Sequence, residues 1–216
     1  MRNAADRSRR MFIAAFCGSL LLPLASHAAD SSAPVQAGWK TQEIRYSYTG
    51  FTTAYDCDAA ADRIKAILKA LGAHPQTRVS AQGCTFNRPS RNFFITITTA
   101  TPVPVADLSK SPAQTSRDEL LKRLGVASAQ LDQTFPAEWK TVELSRDRKL
   151  DLEPGDCELM EGLRDHVLPK LSVKIQADRV QCIPRQVSYQ TPELTVSALV
   201  PMKQPDAAAA SDKTKS

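Results

Sequence analysis

From residue 40 to residue 48 apolar and polar side chains alternate, with Ile44, Tyr46 and Tyr48 on one side and Glu43, Arg45 and Ser47 on the other. A period of two marks a half-buried strand. After Asp56 the period lengthens: Ala60, Ala61, Ile64, Ile67, Leu68 and Leu71 recur at helical spacing. Asp56 is suited to accept the free amide protons of a first turn, and Gly72 to end the last one. Thr77 to Cys84 predicts a second strand, and Asn92 to Thr99, rich in β-branched and aromatic residues, a third. Residues 39–103 therefore predict strand–helix–strand–strand.

The same pattern returns about a hundred residues later. Trp39-Lys40-Thr41-Gln42-Glu43-Ile44 matches Trp139-Lys140-Thr141-Val142-Glu143-Leu144, and Asp56-Cys57-Asp58 matches Asp156-Cys157-Glu158. Cys84 corresponds to Cys182, and Ile95-Thr96-Ile97-Thr98 to Leu194-Thr195-Val196-Ser197. The rare residues make the match specific, because the chain's two tryptophans are equivalent to each other. Unit two, residues 139–202, predicts strands at 140–146, 173–181 and 194–200 and a helix from Cys157 to about Leu168, where Pro169 stops it. The linker at 104–138 carries a short helix, opened by a capping box at Ser116–Glu119 and closed by Gly125. The expected fold class is α+β, with two tandem β-α-β-β repeats and a linking helix. Two arrangements fit: a ferredoxin-like order over residues 39–146, or a single larger, mostly antiparallel sheet with helices on one face. Residues 29–38 are expected to be a flexible linker and residues 203–216 a disordered tail, both being small, polar and poor in apolar anchors.

Composition adds a compartment. Residues 1–10 are basic, residues 11–24 are apolar, and small residues follow at Ala25, Ser26, Ala28 and Ala29. That is the order of a secretory signal peptide, predicted to cover residues 1–28. The apolar run falls short of the roughly 20 residues of a membrane span, so no stable membrane insertion is expected after processing. Ser8-Arg9-Arg10-Met11-Phe12-Ile13 resembles the twin-arginine signature, which leaves the export route open. Cys17 follows Phe16 rather than a small residue, which argues against a lipid anchor. The formal charge of +5 drops to about +2 without this segment. A nucleic-acid binder would keep its charge in the folded part, so nucleic acid is not an expected partner.

Four cysteines remain beyond Cys17. An even count in an exported chain favours disulfides. A repeat unit should close its own staple, which predicts Cys57–Cys84 and Cys157–Cys182. Geometry agrees if strand two of each unit runs parallel to strand one, with or without a strand between, because the helix start and the strand end then share an edge. There is no CxxC, and no cluster of His or Cys at metal-ligand spacing.

Chemistry is sparse. No GxSxG elbow is present, and the eight glycines form no phosphate or dinucleotide loop, so no catalytic residue, metal or cofactor is assigned. His166 stands beside Asp165. The carboxylate pairs Asp56 with Asp58 and Asp156 with Glu158 flank helix starts, where capping and the helix dipole account for them. One asymmetry stands out: unit one has Tyr46, Tyr48, Phe51 and Tyr55 where unit two has Arg146, Asp147, Arg148 and Lys149. These aromatics form a possible binding surface, or Tyr46 and Tyr48 face the core with Ile44. The expected function is a periplasmic or secreted, non-catalytic binding module for a protein or envelope component. The alternatives are a cell-envelope hydrolase using acidic residues or His166, and a small-ligand site in an apolar cleft between the repeats.

Overall fold

The computed structural model describes residues 33–84, 88–108, 114–127, 132–186 and 188–202. The predicted signal peptide and tail lie outside them. Strand β1 (Val35–Thr49) leads into helix α1 (Cys57–Ala70), then β2 (Arg78–Gln82) and β3 (Asn92–Pro104). Two short helices, α2 (Val105–Leu108) and α3 (Gln114–Leu124), carry the chain to β4 (Phe135–Glu143). Helix α4 (Cys157–His166) and strands β5 (Val173–Arg179) and β6 (Glu193–Pro201) follow, with 3-10 turns at Leu144–Arg146, Pro154–Asp156 and Leu168–Lys170.

The six strands form one antiparallel sheet in the order β2-β3-β1-β4-β6-β5. This is the larger-sheet arrangement. The first four strands keep the neighbour order of a ferredoxin-like sheet, but the sheet does not end there: β4 passes it on to β6 and β5. In both halves the strand after the helix runs parallel to the strand before it, with the half's last strand between them. At the joint β1 and β4 pair only over Val35–Ala37 and Phe135–Ala137. So short a ladder cannot hold the halves by itself.

What holds them is the core. Ile44, Tyr46 and Tyr48 of β1 pack with Ile64, Ile67 and Leu68 of α1, and in the same cluster with Leu159, Met160 and Leu163 of α4 and Val196 of β6. At roughly 25 cal/mol per Å² of buried apolar surface, this continuous cluster is the main stabilising term. Gly72 ends α1 with a φ of +84°, and a Cβ there would come within 2.7 Å of the Leu199 carbonyl. Only glycine gives both the left-handed turn and that approach to the other half.

Several boundaries differ from expectation. Val35 to Gly38, expected in the flexible linker, open β1, because they pair with β3 and β4. Strand β4 starts at Phe135, inside the expected 104–138 linker, and stops at Glu143, where Leu144 turns into the core through a 3-10 turn. Helix α3 begins before Ser116, so Ser116 is not its cap; Gly125 does close it, donating to the Leu121 and Lys122 carbonyls. Helices α1 and α4 share one face of the sheet, but α3 lies on the other. Its Leu121 and Leu124 pack with Ala100 and Trp39, and its Arg123 pairs with Glu43 at 2.5 Å. Trp39 and Glu43 alternate with Ile44, so they point away from the main core.

Candidate functional site

Each half carries one disulfide, Cys57–Cys84 and Cys157–Cys182, with Cα separations of 5.9 and 5.6 Å. Each ties a helix start to the chain just past the second strand of its half. Around the second bridge the two halves interlock.

Asp156, 3% exposed, is the centre of that interlock. Its carboxylate accepts from the Tyr55 hydroxyl at 2.6 Å and from the Glu153 amide at 2.7 Å, and it forms an ion pair with Arg63 of α1. Arg63 also donates to the Asp151 carbonyl at 2.8 Å. Tyr55 and Arg63 come from the first half and Asp156 from the second. Burial first, and then the hydrogen bond to Asp156, push the Tyr55 phenol far above its ordinary range, so it stays a donor.

Two residues on, Glu158 does something similar with main chain. Its two oxygens accept from the amides of Phe51, Thr52 and Thr53 at 2.9 to 3.2 Å. The Tyr48 hydroxyl closes the same loop on the Thr53 carbonyl at 3.0 Å. Capping is therefore not the whole account of this carboxylate pair. Asp56 does cap α1, accepting from Asp58, and Asp156 caps the 3-10 turn that leads into α4, accepting from the Glu153 amide, though it makes no cap bond to α4 itself. Asp156 and Glu158 also clamp the second half onto the first.

The clamped loop, residues 50–55, lies beside the segment at 180–186, which Cys182 tethers to Cys157 and which residues 188–192 follow; Thr52 donates to the Gln186 carbonyl at 3.3 Å. On these two loops stand Phe51, Ile183 and Tyr189, exposed by 58, 49 and 90%. Cavities flank them. One, of about 340 Å³, is lined by Phe51, Glu161, Asp165, His166 and Pro184. The other, of about 1030 Å³, is lined by Arg146, Arg179, Ile183, Tyr189 and Glu193. The first cavity is thus acidic at its wall and the second carries both signs of charge.

The sequence-predicted aromatic face separates into three roles. Tyr46 and Tyr48 are buried in the core, because they share β1's inward row with Ile44; they are not a surface. Tyr55 belongs to the clamp. Phe51 alone is open to a partner. Ile183 and Tyr189 were missed, since single apolar residues in a polar loop carry no periodic signal. A cavity does open between the halves, lined by Phe51 and Tyr48 of the first and Glu161, Asp165, His166 and Pro184 of the second, but carboxylates share its wall, so it is not the apolar cleft expected there.

His166 is exposed and stacks on Tyr46 at 5.8 Å between ring centres. Its neighbour Asp165 is engaged by Arg164 at 2.7 Å, and that hydrogen bond holds the Asp165 carboxyl below its usual range. His74 lies against Trp39, edge to face at 5.0 Å, and its Nδ1 accepts from the Gln76 amide at 3.2 Å. Burial lowers its pKa from 6.5, so the folded state favours the neutral ring. That contribution is complete above the unfolded value and is lost as pH falls below it. His74→Asn keeps an acceptor for the Gln76 amide but does not titrate. It is expected to flatten the fall in melting temperature between pH 7.5 and 5; an unchanged pH profile by circular dichroism would contradict this.

Compared with models of known families, with characterised proteins and with solved structures, the chain matches none of them. Its class is set by the fold: an α+β protein with one six-stranded antiparallel sheet and two disulfides.

Proposed function

We propose that this chain is exported through its leader, and that it works outside the reducing cytosol as a non-catalytic binding module made of two copies of one β-α-β-β unit. Its partner, a protein or another envelope component, docks on the two-loop surface around Phe51, Ile183 and Tyr189. One observation carries the reading: three exposed large apolar side chains stand on two adjoining loops, one tethered by a disulfide and the other by the Glu158 carboxylate. Exposed aromatics on pre-ordered loops are the usual anchors of an interface, because little side-chain freedom is lost when they dock. The two disulfides favour an oxidising compartment. Among the described residues no helix is long and apolar enough to cross a membrane.

The test is site-specific photo-crosslinking in the native cell. A photoreactive residue at Ile183 is expected to capture a discrete partner, and one at Lys69, on the outer side of α1, is not. Phe51→Asp with Tyr189→Asp should lower the Ile183 yield at least tenfold, since each anchor is worth about 1–2 kcal/mol or more. Equal capture from both positions, or none from Ile183, would remove the surface.

A second reading, hydrolysis, has one observation in its favour: Glu158, Glu161, Asp165 and His166 line one cavity. Against it, Glu158 is saturated by three amides and Asp165 is held by Arg164. A loss of any measured hydrolysis in His166→Gln, with crosslinking at Ile183 intact, would favour this reading.

A further inference from the structure

The sheet has two edges, and they are built differently. Strand β5 is blunted. Its register with β6 slips between Ile175 and Ala177, and it presents Lys174, Asp178 and Arg179. Bulges and edge charges are standard devices against unwanted strand addition. Strand β2 has no register slip and a single charge, Arg78, at its start. It pairs with β3 in unbroken register from Arg78 to Gln82, and Val79, Ser80, Ala81 and Gln82 are uncharged. Its one charge is turned aside: the Arg78 guanidinium lies 3.3 Å from where a Cβ on Gly125 would stand, at the end of α3. On the neighbouring row Phe94, opposite Gln82, is 66% exposed.

We infer that β2 is a docking edge for a second copy of this chain, the two β2 strands pairing antiparallel about a two-fold axis through Ser80. This occupant is favoured because the edge is complementary to itself. An axis at Ser80 sets Val79 against Ala81 and Arg78 against Gln82, so no like charges face each other. Side chains keep their faces in this register, since residues an even number apart share a face. The same axis lays Phe94 of each copy, across Gln82, toward the other copy's Arg78 and the end of its α3. That adds side-chain burial to the main-chain ladder. An isologous interface of this kind closes on itself as a dimer and leaves the blunted β5 edges outward.

The test combines sedimentation of the purified protein with cysteine crosslinking. A concentration-dependent dimer is expected. Ser80→Asp, which sets two carboxylates against each other on the axis, should raise its dissociation constant at least tenfold. Phe94→Ala should raise it several-fold, and Ile175→Ala, on the other edge, should leave it unchanged. Under mild oxidation Ser80→Cys should give a covalent dimer, since directly opposed Cα atoms lie within bonding reach; Gln82→Cys, opposite Arg78, should not. A monomer throughout, even with some other polypeptide captured on the edge, would overturn the inference. So would a dimer indifferent to Ser80→Asp, or equal crosslinking from Gln82→Cys. The surface at Phe51 and Tyr189 is not part of this edge, so either proposal can fail without the other.

Discussion

Replacing Cys157 and Cys182 by alanine is expected to lower the melting temperature by roughly 6–16 °C and to abolish partner capture at Ile183. Replacing Cys57 and Cys84 is expected to lower it about as much and to leave capture intact. The equal part follows from chain entropy. The bridges close loops of similar length, with sequence separations of 25 and 27. Each is worth about 3–4 kcal/mol in the loop-closure account, and about 2–4 °C is lost per kcal/mol in a chain of this size. The unequal part follows from position. Cys182 anchors the loop that carries Ile183 and Tyr189, whereas Cys84 follows β2, in the other half. Thermal unfolding beside crosslinking yield separates the two effects. Equal loss of capture in both variants would show that the second bridge has no special part in the surface.

Asp156→Ala is the other large effect expected. It removes the shared acceptor of the Arg63 guanidinium, the Tyr55 hydroxyl and the Glu153 amide, leaving Arg63 the Asp151 carbonyl and Tyr55 the Gly155 carbonyl. Removing one partner of a fully buried pair costs about 3–5 kcal/mol; about 2–3 kcal/mol is expected here, because Arg63 is partly open to water and keeps the Asp151 carbonyl. Removing both is cheaper. Arg63→Met combined with Asp156→Ala should therefore recover part of the loss, a coupling that a double-mutant cycle in urea reads directly. A shift below about 1 kcal/mol for Asp156→Ala would mean that the short β1–β4 ladder and the shared core hold the halves unaided. Arg63→Met alone should cost less, since Arg63 is partly open to water and the Tyr55 and Glu153 donors keep their acceptor.

The site was only partly legible in the sequence. Cys57, Cys84, Cys157 and Cys182 could be paired because a repeated motif restricts three connectivities to one. Tyr46 and Tyr48 could not be assigned. Their alternation with Arg45 and Ser47 marks a strand with two faces, but only the helices packed on it decide which face is inside. Asp156 and Glu158 looked like ordinary helix-start carboxylates. Their partners, Arg63 and the amides of residues 51–53, lie about a hundred residues away, and no local pattern announces a contact at that range.

By itself the sequence determined the local elements, the α+β class and the recurrence of one strand–helix–strand–strand order. Each of these depends on side-chain period and turn chemistry over a few residues. Tertiary structure alone decided that the two halves share one sheet and one core, that α3 crosses to the opposite face, and that loop 50–55 meets the segment at 180–186. These outcomes rest on contacts between distant segments, where many pairings satisfy the same hydrophobic pattern. Burial of a common core, with the clamp at Asp156 and Glu158, selects one of them.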